Sequence, residues 1–110
     1  MTCETLKLSA PSLKYAVEMC EANPKFCAVI ICKSQSETVA AFDTLTDYVD
    51  MTQYSRIAQY PNGSMLVEWR NKSYAQLIDI KDASRRCQSM LLLLSPTLDE
   101  KELAGIGYLD

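Results

Sequence analysis

The chain has 110 residues, a formal net charge of −3 and no histidine. A chain of that length forms one domain and buries roughly two thirds of its unfolded surface, enough to fold without metal or disulfide staples. The charge and the missing histidine exclude more: an acidic chain without a dense Lys/Arg run grips phosphates poorly, and Ser-His and Cys-His catalytic pairs cannot be built.

The opening stretch MTCETLKLSAPSLKY has no apolar h-region, so no signal peptide is expected. The apolar runs fall far short of the ~20 residues that span a bilayer, so a soluble, cytoplasmic protein without a membrane partner is expected. Leu13, Ala16, Val17 and Cys20 recur at helical spacing. They predict a helix from about residue 12, with Pro11 in its first turn and Asn23-Pro24 as its stop. FCAVIIC, residues 26–32, is apolar on both faces and reads as a central strand covered on both sides.

Ser34-Gln-Ser-Glu37 has the form of a capping box, with Ser34 accepting from the amide of residue 37 and Glu37 reaching back to the amide of residue 34. The helix after it should run to about Asp50, with Val39, Phe42, Leu45 and Val49 inward and Asp43 and Asp47 in water. YSRIAQY (54–60), MLVEW (65–69) and YAQLIDI (74–80) read as strands. The turns Pro61-Asn62-Gly63-Ser64 and Arg70-Asn71-Lys72-Ser73 would join them into an antiparallel meander. Residues 82–86 read as a short helix or turn, and SMLLLLS (89–95) as a buried strand. Thr97-Leu-Asp-Glu100 looks like a second capping box, opening a helix over about 98–105. Gly105 and Gly107 would stop that helix, with Leu103 and Ile106 packed inward.

The expected fold is α/β, with α+β as the alternative: a single three-layer domain over residues 1–110. Its mixed sheet has about five strands, an antiparallel meander and flanking helices, with FCAVIIC and SMLLLLS at the centre.

Five cysteines without a Cys-x-x-Cys pair read as small buried hydrophobes in a reducing compartment, and neither a metal nor a cofactor is expected. Three glycines cannot supply a Gly-x-Gly-x-x-Gly turn, and no phosphate-loop motif is present. Asp79, Asp82, Asp99, Glu100 and Glu102 lie near element ends, and Asp79 meeting Asp99 would make a magnesium site. The favoured reading has Asp79 pointing outward, with Asp99 and Glu100 complementing a helix dipole. No catalytic, cofactor-binding or metal-binding residue is assigned.

FCAVIICKSQSETVAAFDTL, YPNGSMLVEW and SMLLLLSP, taken in that order, resemble part of the ATPase core of viral terminase large subunits and related helicases. The resemblance spans roughly residues 26–96 and rests on element order and on Asn62-Gly63-Ser64. In that family the later apolar strand ends in Asp-Glu, where this chain has Ser95-Pro96. With the phosphate loop also missing, the resemblance implies a degenerate, non-hydrolysing piece.

The reading favoured for function is a non-catalytic protein-interaction module. Trp69, Tyr54, Tyr60 and Tyr74 would supply aromatic anchors around the meander, and Arg70, Arg85 and Arg86 charged contacts. A phage or mobile-element inhibitor of a host defence nuclease, anti-CRISPR-like, is one concrete form, and a homodimer through a sheet edge is another. The first alternative is a nucleic-acid-associated domain of DNA-packaging or repair type. There Arg56, Arg70, Lys72, Arg85 and Arg86 would face phosphates while Trp69 or Tyr74 stacks on a base. The second is a small magnesium-dependent enzyme or nucleotide binder using the carboxylates.

Overall fold

The two runs read as central strands lie side by side as interior strands of the sheet, the second of them one place in from the edge. In the computed structural model, which describes residues 4–82 and 89–105, the chain order is β1 (Glu4–Lys7), α1 (Ala10–Ala22), β2 (Cys27–Cys32), α2 (Gln35–Tyr48), β3 (Tyr54–Gln59), β4 (Met65–Trp69), β5 (Tyr74–Asp79), a 3₁₀ turn (Ile80–Asp82), β6 (Leu91–Leu94) and α3 (Glu100–Gly105). The sheet has six strands in the order β1-β6-β2-β5-β4-β3. β1, β6, β2 and β5 run parallel, and β5, β4 and β3 form the antiparallel meander. The fold is the expected α/β domain with one strand more than the sequence suggested.

The added strand is β1. Its four residues, ETLK, are too short and too charged at both ends to show an alternating pattern. They are ordered by pairing with β6, in register Glu4↔Leu91 through Lys7↔Leu94. α1 accordingly begins earlier than expected, at Ala10, because Ser9 is its cap. Ser9 and Ser12 exchange side-chain bonds to each other's backbone amides, a capping box with serine in place of glutamate.

The core lies mainly on one face. Ala28, Ile30 and Cys32 of β2 are closed over together with Leu77 of β5, Val67 and Trp69 of β4, and Leu91 and Leu93 of β6. α1 supplies Leu13, Ala16, Val17 and Cys20 to this cluster, and α2 supplies Ala41 and Leu45. Each fully buried aliphatic chain here contributes about 1.5–3 kcal/mol relative to exposure. The opposite face has a smaller cluster of Val29, Ile31, Ile78 and Leu94, with Leu98, Leu103 and Ile80 packed on it. Because β2 contributes alternate residues to both clusters, its unbroken apolar sequence is explained.

Three local expectations are corrected. Val39 is not on the inward stripe of α2; it is 39% exposed, and the buried positions are Thr38, Ala41 and Leu45. Thr38 can be buried because its hydroxyl donates to the Ser34 carbonyl at 3.0 Å, whereas the sequence pattern favoured the more apolar valine. Glu37 reaches back to the amide of Lys33 (2.7 Å), not to that of residue 34. The cap of α3 is Asp99 rather than Thr97: the Glu102 amide donates to Asp99 Oδ1 at 2.8 Å and the Asp99 amide to Glu102 Oε1 at 3.2 Å. Leu98 donates back to the Ser95 carbonyl, which spends residues 95–98 on a turn and moves the helix start along the chain. Expectations for residues 83–88, Ile106 and Gly107 lie outside the described residues.

The two hairpins use the same device. Asn62-Gly63-Ser64 and Asn71-Lys72-Ser73 each place a central residue at positive φ, 92° for Gly63 and 75° for Lys72. In each, the asparagine Oδ1 accepts from the serine amide two residues on, at 3.0 Å. The second turn is also tied to α1, since Asn71 Nδ2 and Ser73 Oγ both donate to the Cys20 carbonyl, at 2.8 and 2.7 Å.

Candidate interaction surface

In an α/β sheet the carboxyl ends of the parallel strands are the first place to look for a site. Here those ends gather Lys33, Glu37, Asp79, Ser95 and Thr97, and their polar groups are spent on one another. Glu37 accepts from the Lys33 amide with Oε1 and from Ser95 Oγ (3.0 Å) with Oε2. Ser95 Oγ is 2.8 Å from Thr97 Oγ1. Lys33 Nζ is ion-paired and hydrogen-bonded to Glu102 of α3. That bond, more than the charges of Asp99 and Asp79, raises the lysine pKa.

Asp79, expected to face outward, is only 6% exposed. It pairs in register with Cys32, and its Oδ1 accepts from the Lys81 amide at 3.2 Å, with Lys81 Nζ 3.9 Å from Oδ2. Asp79 is thus bonded to Lys81, and Asp99 to the first turn of α3, where the magnesium reading wanted both on a metal. Among the described residues, no three cysteine or carboxylate side chains converge into a metal-binding group. Burial pushes the Cys32 thiol up to about 12, and does the same to Cys20 on the inner side of α1. Both are therefore poor nucleophiles near neutral pH.

The other face of the meander differs. Alternation in β4 and β5 puts Leu66, Glu68, Tyr74 and Gln76 on the side away from the main core, in register Leu66↔Gln76 and Glu68↔Tyr74. β3 continues the row with Arg56 opposite Glu68 and Ala58 opposite Leu66. Tyr60, at the turn beyond β3, closes the end. Tyr60, Leu66, Glu68, Tyr74 and Gln76 line an open concavity of about 310 Å³. Arg56 Nε lies 3.6 Å from Glu68 Oε1, so the one carboxylate on this floor is partly answered within the chain. The result is a mixed floor, one leucine among two phenol rings, one amide and one carboxylate.

Of the residues singled out from sequence, Tyr60 and Tyr74 meet here. Trp69 does not: it is 1% exposed within the main core, and its indole N–H donates to Glu21 at 3.1 Å. Tyr54 is half-buried against that same core, opposite Trp69. Arg70 is exposed at the β4–β5 turn, away from the concavity lining, and Arg85 and Arg86 lie outside the described residues. Leu66, Glu68 and Gln76 were not singled out, although the alternation of MLVEW and YAQLID already put them on one face.

No known protein family matches this chain, and neither a curated protein nor a solved structure matches it. No helix among the described residues is long and apolar enough to cross a membrane.

Proposed function

We propose that this protein is a non-catalytic interaction module that receives a partner protein on the open face of β3, β4 and β5. The observation that carries this reading is the concavity lined by Tyr60, Leu66, Glu68, Tyr74 and Gln76, in contrast to the parallel-strand ends, whose polar groups bond to each other. Aromatic rings on a rigid sheet anchor a partner well, because they bury area and lose few rotamers. Glu68 on the floor opposes a phosphate backbone, and the nearby Arg56 is engaged with it, which favours a protein over a nucleic acid. An inhibitor of a host defence nuclease, carried by a phage or mobile element, is the concrete form this reading takes. Its support is the chain's mild acidity.

The test is affinity capture from the native host with wild-type protein and with Tyr60→Ala and Leu66→Asp, followed by mass spectrometry. A protein retained by wild type and lost by both variants, at unchanged melting temperature, is the expected result. Identical captured sets from all three would overturn the reading. A captured nuclease whose cleavage is blocked by wild type alone would specify the inhibitor form.

A further inference from the structure

We propose that a second copy of this chain pairs antiparallel along β3, forming a two-fold dimer centred on Ala58. The inference goes beyond the reading above: it concerns backbone pairing along the edge of the sheet, with one side-chain contact reaching the open face.

β3 ends the sheet, and among the described residues no strand lies on its outer side. Which backbone groups point outward follows from the hairpin. The Tyr60 amide donates inward to the Ser64 carbonyl at 2.9 Å. Strand alternation then aims Ala58 inward as well, and leaves the N–H and C=O of Ile57 and Gln59 facing out. A two-fold axis through Ala58 sets Ile57 of each copy opposite Gln59 of the other. Both pairs are then hydrogen-bonded pairs in which the two residues exchange N–H···O bonds, and all four outward residues are used. Ala58 meets its own copy at the closely spaced, non-hydrogen-bonded position, where its small side chain lets the two copies approach without a clash.

The side chains agree with this register. It places Arg56 opposite Tyr60 of the second copy on the open face, a cation over an aromatic ring. β3 carries no acidic residue and its only cation is Arg56, so no like charges are opposed. Ile57, at 43% one of the more exposed large apolar residues, would be covered on the helix-bearing side. Two features that usually guard an edge, a bulge and a proline, are present, but they stand at the ends of this window. The register shift falls between Tyr54 and Arg56, and Pro61 follows Tyr60. They frame a ladder over residues 56–60 without interrupting it. The other edge is built differently: β1 has four residues with Glu4 and Lys7 at its ends, a short charged edge of the kind that discourages pairing.

Sedimentation velocity across a concentration series from about 1 μM to 1 mM, a span that captures weak to moderate dimers, should show a monomer–dimer equilibrium for wild type. Gln59→Pro removes one outward N–H and no bond of the hairpin, so it should be monomeric with a melting temperature near wild type. Arg56→Ala should weaken the dimer about two- to fivefold. Should the proline variant fail to fold, Ala58→Cys decides the matter. Partners at a non-hydrogen-bonded position lie about 4.5 Å apart at Cα, within disulfide range, so mild oxidation should link position 58 to position 58.

A wild-type chain that stays monomeric throughout would overturn the proposal. So would a dimer that survives in Gln59→Pro, or an oxidised Ala58→Cys protein without the 58–58 link. The partner reading is separable, since it survives a monomeric result and fails only in the capture experiment.

Discussion

The parallel and antiparallel halves of this sheet use their residues in opposite ways. In the parallel half, β2 and β6 are covered on both faces, and the carboxyl ends of the strands are closed by Lys33, Glu37, Ser95 and Glu102 bonding to one another. In the antiparallel half, α2 covers one side, leaving a row of half-exposed side chains on the other and, among the described residues, no strand beyond the outer edge of β3. Where an α/β fold usually keeps its chemistry, this chain has spent its polar groups on structure. Where a meander usually has plain solvated surface, it has two tyrosines and a leucine. Among the described residues, the open concavity lies on the antiparallel side, which is where the proposed partner site is placed.

The sharpest test of this division uses Trp69, at the end of β4. Trp69 is fully enclosed and bonded to Glu21, so Trp69→Ala should cost about 3–5 kcal/mol, read by chemical denaturation. A loss below about 1 kcal/mol would mean that the core does not extend under β4. The parallel half can be probed through its thiols. Burial raises both Cys20 and Cys32 from 9.0 to about 12. Between those values the unfolded chain has released protons that the folded chain retains, so stability should be intact below about pH 9 and fall as pH rises toward 12. Alkylation of the native protein at mildly alkaline pH should label the half-exposed Cys27 before the buried Cys20 and Cys32. Equal labelling of all three would show that this layer opens readily.

A smaller effect separates the two possible caps of α3. Asp99→Ala should lower stability by about 0.5–2 kcal/mol, and more than Thr97→Ala does. The reverse ranking would restore the cap read from sequence. That misreading shows what a sequence carries and what it does not. Both Thr97-x-x-Glu100 and Asp99-x-x-Glu102 satisfy the capping pattern, and only the turn closed by Leu98 on Ser95 selects the second. β2, β6 and the meander were legible because their apolar runs and turn residues are local signals. β1 was not, since four residues with charged ends become a strand only when β6 arrives from the far end of the chain. The candidate surface was half legible. Tyr60 and Tyr74 stood out as aromatics in a meander, but which of the aromatics stay exposed depends on the face that α1 and α2 cover. That choice of face buried Trp69.

The smallest expected effect is the most informative for function. Tyr60 is 41% exposed and lies at the rim of the concavity, so Tyr60→Ala should change stability by no more than about 0.5 kcal/mol. A residue that matters little to folding and much to partner capture is what an interaction surface requires. A residue whose loss unfolds the chain cannot be separated from its scaffold. If Tyr60→Ala proved as destabilising as a core truncation, the open face would have to be counted as part of the core. The contrast between the two halves would then disappear, and with it the reason to look for a partner on the meander.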